Sequence, residues 1–201
     1  MRKVTAILGA EPYFNPKYPG IIQHYSDTFL NNVLTWKHDN PTDNVVIVDT
    51  RSYLKSETPL TDLWRAVCSS HPEGIDVLIY SGHSSPEHLL VFSHCLQHLG
   101  DNQRFLGVDC AFKAPLSPNA EIILWGCQAG GKEGKKSPTS IAQVLADKTR
   151  RIVYAYLYKT SQKRRKDGHY AQVPDKGVIV KFEPRMRTEG LVGVEDGEST
   201  V

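Results

Sequence analysis

A histidine and a cysteine, two residues able to do proton-transfer and nucleophilic chemistry, each follow a short apolar run. Ile75–Tyr80 is followed by Ser-Gly-His-Ser-Ser, which places His83 just past the run. Glu121–Trp125 is followed by Gly-Cys-Gln-Ala-Gly-Gly, which places Cys127 in the same relative position. Apolar, β-branched runs of this length favour buried strands, and glycine allows a sharp turn at their ends. If the two strands are parallel neighbours, both side chains emerge at one carboxyl edge of a sheet.

A thiol and an imidazole within hydrogen-bond reach can carry out acyl transfer. The imidazole can hold the pair as thiolate and imidazolium, and it can later protonate a leaving amine. The intermediate oxyanion needs hydrogen-bond donors, which we expect from the backbone at the two strand ends: Gly82, Ser84, Gly126 and Cys127 itself. A single strand-end cysteine is more often a small core residue, and a single histidine is more often structural. The hypothesis therefore depends on the pairing of the two.

The other periodic segments predict the elements that must position this pair. Further strands are predicted at Lys3–Leu8, Asn44–Asp49, Arg151–Tyr158 and Gly177–Phe182, and helices at Ile21–Lys37, Pro59–Ser69 and Pro138–Arg150. We expect Ser137 to cap the last helix and Pro138 to occupy its first position. Apolar strands separated by helices favour a three-layer α/β sandwich with a mostly parallel sheet. We expect one domain over residues 1–184 and a flexible, polar, acidic tail over 185–201.

Composition is that of an ordinary globular protein. The chain has 201 residues, 40% of them hydrophobic and 23% charged, with a formal net charge of +2. So small a net charge does not indicate a nucleic-acid or membrane-surface partner. No segment is long and apolar enough to span a bilayer, and the short apolar run at the N-terminus predicts a first strand better than a signal peptide. The four cysteines form no CxxC pair, so we expect reduced thiols and a cytoplasmic location.

The two motifs carry a family resemblance. An apolar strand followed by Ser81-Gly82-His83-Ser84, then a second apolar strand followed by Gly126-Cys127 and a glycine-containing stretch, resembles the caspase-like cysteine peptidases. Within that clan the pattern is most similar to the separase, CHAT and self-processing toxin branches. The resemblance is firm over about Ile75–Tyr158 and elsewhere depends on the order of strands and helices.

The resemblance implies a caspase-like sandwich and endopeptidase activity through a thioester intermediate. It assigns Cys127 as the nucleophile and His83 as the general acid and base, with a protein or peptide as substrate and no cofactor. This chain differs from the family at one position. The family's usual motif is His-Gly, whereas here Ser84 follows the histidine and the glycine precedes it. A backbone N–H is still available from Ser84.

Charged residues leave the substrate preference open. Cleavage after Arg or Lys needs a carboxylate in the first pocket, for which Asp109, Asp167 and Asp175 are candidates. Cleavage after Asp needs arginine, for which Arg150, Arg151, Arg164 and Arg165 are candidates. The last two belong to the basic run Lys159–Lys166, which also contains Lys163. That run is either a solvated loop or a recognition segment for an anionic substrate or activating ligand. We also expect Lys132, Lys135 and Lys136, just beyond the nucleophile, to be exposed.

A metal centre is the weaker interpretation of the remaining histidines and cysteines. His94, Cys95, His98 and Cys110 could be imagined as ligands, but their spacing is not that of a standard zinc motif. We therefore expect no metal.

The sequence thus predicts a cysteine endopeptidase that is self-processing or activated by a partner or ligand. Two alternatives stay open. The first is a non-catalytic caspase-like module that binds a partner or an anionic ligand through the same cleft. The second is another acyl-transfer enzyme that uses the same dyad.

Overall fold

A computed structural model of the protein describes residues 1–9, 19–53, 56–91, 105–107, 112–164, 170–174 and 179–185. The side chains of 19–27, 105–107, 161–164 and 170–174 lie outside the description. The strands are β1 Lys3–Leu8, β2 Asn44–Asp49, β3 Ile75–Ser81, β4 His88–Leu90, β5 Phe105–Gly107, β6 Leu116–Trp125, β7 Gly131–Lys132, β8 Lys135–Lys136, β9 Ile152–Ala155, β10 Thr160–Arg164, β11 Tyr170–Pro174 and β12 Val180–Phe182. The helices are α1 Pro19–Asp39, α2 Pro59–Ser70 and α3 Ile141–Thr149, and Thr50–Tyr53 forms a 3₁₀ turn.

Six of these strands form one mostly parallel sheet in the order β12-β9-β6-β3-β1-β2. The pairs β1/β2, β1/β3, β3/β6 and β6/β9 are parallel, and the edge strand β12 runs antiparallel to β9. The predicted α/β class with a mostly parallel sheet is confirmed. Because β3 and β6 are parallel neighbours, the segments that follow them leave the sheet at the same edge.

Helices cover both faces of the sheet. Successive side chains along each strand point to opposite faces and so belong to two separate hydrophobic clusters. On one face Ile7, Leu78 and Leu124 belong to a cluster with Trp64 of α2 and Ile141 of α3. Side chains one residue away along a strand point to the opposite face. Both faces of the central strands are therefore buried, which explains their nearly continuous apolar sequences.

The second face is covered by α1. Phe29 and Val33 of this helix pack against Val77 and Ile79 of β3, and all four are almost fully buried. Phe29 and Val33 lie on the buried face of α1, whereas Leu34 is 45% exposed. No helix in the described part of the chain is long and apolar enough to cross a membrane.

Helix α3 begins three residues later than the sequence predicts. Its N-cap is Ser140, whose hydroxyl oxygen accepts the N–H of Gln143 at 3.3 Å, so the predicted cap at Ser137 is wrong. The N–H of Ile141 donates to the carbonyl of Pro86 at 2.6 Å, and the next N–H, of Ala142, donates to a carbonyl of the Cys127 turn. These tertiary hydrogen bonds use N–H groups that a helix start leaves unsatisfied.

Three antiparallel strand pairs lie outside the main sheet in the described part of the chain: β4/β5, β7/β8 and β10/β11. The predicted strand Arg151–Tyr158 ends at Ala155, and β10 then pairs with β11. The basic run is therefore not simply a loop, since Thr160–Arg164 is a strand. β7 pairs with β8 across Glu133 and Gly134, both at positive φ (51° and 80°), the conformation of a type I′ turn.

The polar tail predicted from residue 185 lies outside the described residues beyond Arg185. Arg185 itself is fixed, because its backbone N–H and guanidinium both donate to the Asp147 carboxylate at 2.8 Å.

Candidate active site

The sheet register brings the His83 and Cys127 turns together. Ser81, the last residue of β3, is paired with Trp125, the last residue of β6. His83 and Cys127 each lie two residues past this pair. The sequence-based expectation that the histidine and cysteine follow parallel neighbouring strands at one edge is thus met by the backbone.

The imidazole of His83 lies on the α1 side of the sheet. Its ring packs edge-on against Phe29 of α1, with ring centroids 5.1 Å apart. Burial disfavours the charged ring and lowers the pKa of His83 from 6.5 to about 4. At neutral pH the imidazole is therefore unprotonated and able to accept a proton.

Tyr80 fixes the turn that carries His83. Its hydroxyl is buried and donates to the carbonyls of His83 and Leu90, the latter at 2.7 Å. The same His83 carbonyl accepts the N–H of Leu90 at 2.9 Å. Desolvation, with a smaller contribution from the nearby Cys127, raises the pKa of Tyr80 well above its usual value. The phenol therefore stays protonated and acts as a hydrogen-bond donor.

Glycine is required on both sides of that phenol. A Cβ at Gly82 would lie 2.5 Å from the Tyr80 hydroxyl oxygen, and a Cβ at Gly9 would lie 2.7 Å from it. Neither distance is compatible with a side chain. The glycine that precedes His83 is thus explained by its close approach to Tyr80.

The Cys127 sulfur is bonded to Thr160, the first residue of β10. The Thr160 N–H donates to Sγ at 3.3 Å, and the Thr160 hydroxyl lies 3.1 Å from Sγ. In the described part of the chain the sulfur makes no hydrogen bond to His83. The turns that carry Cys127 and His83 lie at the same edge of the sheet, but the sulfur is hydrogen-bonded to Thr160 and the imidazole packs against Phe29.

Ser84 joins the two turns. Its hydroxyl donates to the carbonyl of Cys127 at 2.8 Å. A methyl group at Gly126 would overlap the Ser84 hydroxyl oxygen and lie 2.8 Å from the Ser84 Cβ. Ser84 therefore has a specific neighbour, a glycine on the opposite turn.

Backbone donors for an oxyanion remain at three of the expected positions. The Gly82 N–H donates to the carbonyl of Trp125 at 3.1 Å, so Gly82 is wrong as an oxyanion donor. Among the described residues, the N–H groups of Ser84, Gly126 and Cys127 are not bonded to a backbone carbonyl. Ser84 and Leu89 form an isolated antiparallel bridge whose hydrogen bonds are made by the neighbouring residues. Ser84 is therefore at a non-hydrogen-bonded position of the bridge, and its N–H points away from Leu89.

The turn after Cys127 is held by the segment that follows β9. The N–H of Gln128 donates to the carbonyl of Tyr158, and the N–H of Gly130 donates to the carbonyl of Tyr156, both at 3.0 Å. Gln128 has φ at 55°, which lets the chain reverse directly after the cysteine. The sequence does not predict that the segment from Tyr156 to Thr160 holds this turn, because no local pattern in it indicates a contact with Cys127.

The candidate substrate-binding residues are not assembled into a pocket by the described structure. Asp109, Asp167, Asp175 and Arg165 lie outside the described residues. Lys163 and Arg164 lie on β10, for which the backbone is described. Lys132, Lys135 and Lys136 are exposed, as predicted.

No metal centre is assembled by the residues that the structure covers, which hold no group of three or more suitable ligands. The imagined ligands His94, Cys95, His98 and Cys110 lie outside that part of the chain. Cys68 and Cys127 are both free thiols.

Comparison with known proteins adds no relative. The chain matches no protein-family model, and no curated protein matches its sequence. The functional assignment must therefore be argued from the site itself.

Proposed function

We propose that the protein is a caspase-like cysteine endopeptidase that uses Cys127 as nucleophile and His83 as general acid and base. The observation that supports this best is the register of β3 and β6, which ends at the pair Ser81 and Trp125 and delivers both turns to one edge. The hydrogen bond from Ser84 to the Cys127 carbonyl then holds the turns against each other.

In the proposed reaction, His83 removes the thiol proton of Cys127 as the sulfur attacks the substrate carbonyl carbon. The pKa of His83, about 4, leaves the ring unprotonated at neutral pH, and formation of the imidazolium in this step depends on the thiolate charge that develops beside it. The N–H groups of Ser84 and Cys127 stabilise the oxyanion. His83 next gives the proton to the leaving amine, and water hydrolyses the thioester.

The sulfur and the imidazole must come into contact for this reaction. Catalytic hydrogen bonds are often long or misaligned before substrate binds. A rotation of the Cys127 side chain away from Thr160 would be sufficient if the two side chains project to the same side of the sheet. His83 contacts α1, and the hairpin that begins with Thr160 also packs against α1 through β11. The imidazole and the hairpin that contacts the sulfur therefore both adjoin α1.

The experiment compares the purified protein with Cys127→Ala and His83→Ala by mass spectrometry, both alone and with an unfolded protein substrate. We expect cleavage by the wild type, a loss of at least about 100-fold in His83→Ala, and no cleavage by Cys127→Ala. Cys68→Ala is the matched control, because Cys68 is a free thiol on α2 that donates to the Lys113 carbonyl, outside both turns. Cleavage that survives Cys127→Ala would refute the proposal.

A non-catalytic binding module is the second candidate function. The observation that favours it is the engagement of the Cys127 sulfur by Thr160 rather than by His83. On this hypothesis an electrophile such as iodoacetamide labels Cys127 no faster than Cys68, and the His83→Ala substitution leaves both rates unchanged. The peptidase hypothesis predicts faster labelling of Cys127 that depends on His83 whenever the sulfur is released from its contact with Thr160.

A further inference from the structure

Three polar atoms of Thr160 lie close to the sulfur of Cys127. Its N–H and its hydroxyl lie 3.3 and 3.1 Å from Sγ, and its carbonyl oxygen lies 3.8 Å away. No other residue in the described part of the chain makes a hydrogen bond with this sulfur. One residue therefore determines where the thiol proton of Cys127 points.

The chemistry of these three atoms limits the direction of that proton. The N–H of Thr160 can only donate, so it uses a lone pair of the sulfur. The carbonyl oxygen can only accept, and the hydroxyl can do either. If the hydroxyl accepts, the S–H of Cys127 can point at both oxygens of Thr160; if the hydroxyl donates to the sulfur, the S–H still has the Thr160 carbonyl oxygen as its acceptor. A thiol has a single proton, so while it lies there it is not available to His83.

The same hairpin touches the element that holds the imidazole. Thr160 is the first residue of β10, which pairs with β11 along its length. β11 packs against α1, and α1 supplies Phe29 to the ring of His83. The hairpin thus contacts the sulfur directly and the imidazole through one helix. A shift of the hairpin relative to α1 would change the surroundings of both groups together.

We propose that Thr160 is a positioning residue that keeps the Cys127 thiol turned away from His83 in the resting protein, and that loss of this contact releases the thiol to form the dyad. This inference rests on the proposed peptidase function, since it describes how that dyad is controlled. It concerns the position of the sulfur before reaction and assigns no chemical step to Thr160.

The test is the rate at which iodoacetamide alkylates Cys127, measured by mass spectrometry of the labelled peptide in the full-length protein. Thr160→Val removes the hydroxyl and retains the β-branch and the backbone N–H. Because one hydrogen bond contributes about 0.5–1.5 kcal/mol, we expect alkylation to become about 2- to 10-fold faster. Thr160→Ser keeps the hydroxyl and should leave the rate unchanged, and Thr61→Val, at an exposed position on α2, is the matched control.

The opposite results overturn the inference. Slower alkylation in Thr160→Val would show that the hydroxyl donates to the sulfur and activates it, and an unchanged rate would show that the contact restrains nothing. Thr160→Ala repeats the loss of the hydroxyl with a smaller side chain, so the test survives if valine disturbs β10. The urea midpoint of each variant confirms that it is folded.

A second series separates this inference from the proposed function. If the dyad exists, the faster alkylation in Thr160→Val disappears when His83→Ala is added. If the acceleration persists without His83, Thr160 does restrain the thiol, but the Cys127 and His83 dyad is refuted. If Thr160→Val has no effect while wild-type cleavage depends on His83, the peptidase stands and the role of Thr160 is refuted.

Discussion

Replacing Gly126 by alanine tests the contact between the two turns. The added methyl group would overlap the Ser84 hydroxyl oxygen, and it would lie 2.8 Å from the Ser84 Cβ and 3.0 Å from the Gly82 carbonyl oxygen. Gly126 is not among the described glycines with positive φ, so alanine is opposed by packing and not by its backbone conformation. Overpacking of this kind costs about 1–3 kcal/mol of unfolding free energy.

Ser84→Gly removes the two closest of those three atoms. On its own it should destabilise the protein by about 1–2 kcal/mol, because it loses the hydrogen bond to the Cys127 carbonyl and adds chain flexibility. In the double variant the methyl group introduced by Gly126→Ala gains the space that the Ser84 side chain vacated. We expect the combined loss to be smaller than the sum of the single losses by about 1–2 kcal/mol.

Urea unfolding of the wild type, the two single variants and the double variant measures this coupling. Gly130→Ala is the matched control, because a Cβ at Gly130 would lie 2.5 Å and 2.7 Å from ring atoms of Phe182 and does not meet Ser84. Ser84→Gly should not rescue that variant. Our account of the two turns is wrong if the Gly126 and Ser84 effects add to within about 0.5 kcal/mol, or if both glycines are rescued equally.

Three further predictions concern the surroundings of the same edge. The pKa of His83 is about 4 in the folded protein against 6.5 unperturbed, so the stability contributed by this residue should be lost as pH falls from about 6.5 to about 4 and should not change below that; over this range the unfolding free energy of His83→Gln should fall by up to about 3 kcal/mol less than that of the wild type, measured by urea unfolding at the two ends of the range. Tyr80→Phe should cost about 1–2 kcal/mol and slow the proposed cleavage, since it removes the donor to two carbonyls of the histidine turn; unchanged stability and rate would contradict this. Glu133→Asn should stabilise the β7–β8 turn by a few tenths of a kcal/mol, whereas Gly134→Ala, at φ 80° and against Tyr158, should destabilise it by more than about 1 kcal/mol; thermal or urea unfolding of both variants would detect a reversal of this order.

Sequence alone was sufficient where a strand is a nearly continuous run of apolar residues. Lys3–Leu8 and Asn44–Asp49 are strands with the predicted bounds, and Ile75–Ser81 differs from prediction by one residue. Continuous β-branched runs have few alternative structures inside a protein. Because strand ends follow from such runs, the placement of His83 and Cys127 past two strand ends could also be predicted.

Sequence failed where structure depends on contacts between distant segments. Thr160–Arg164 has no apolar periodicity and is a strand because it pairs with Tyr170–Pro174. The cap of α3 moved from Ser137 to Ser140, whose following N–H groups find distant carbonyl acceptors. The partner of the Cys127 sulfur depends on where β10 begins, and no local pattern encodes that.

The hydrogen bonds at the start of α3 predict how the two turns of the candidate site separate in local unfolding. Ile141 donates to Pro86 beyond the histidine turn, and Ala142 donates at 3.1 Å to Ala129 beyond the cysteine turn. Two consecutive amides thus tie a short helix to both halves of the candidate site. Unwinding of that first helical turn would release both halves in a single event, so hydrogen exchange at the two amides should report one shared opening.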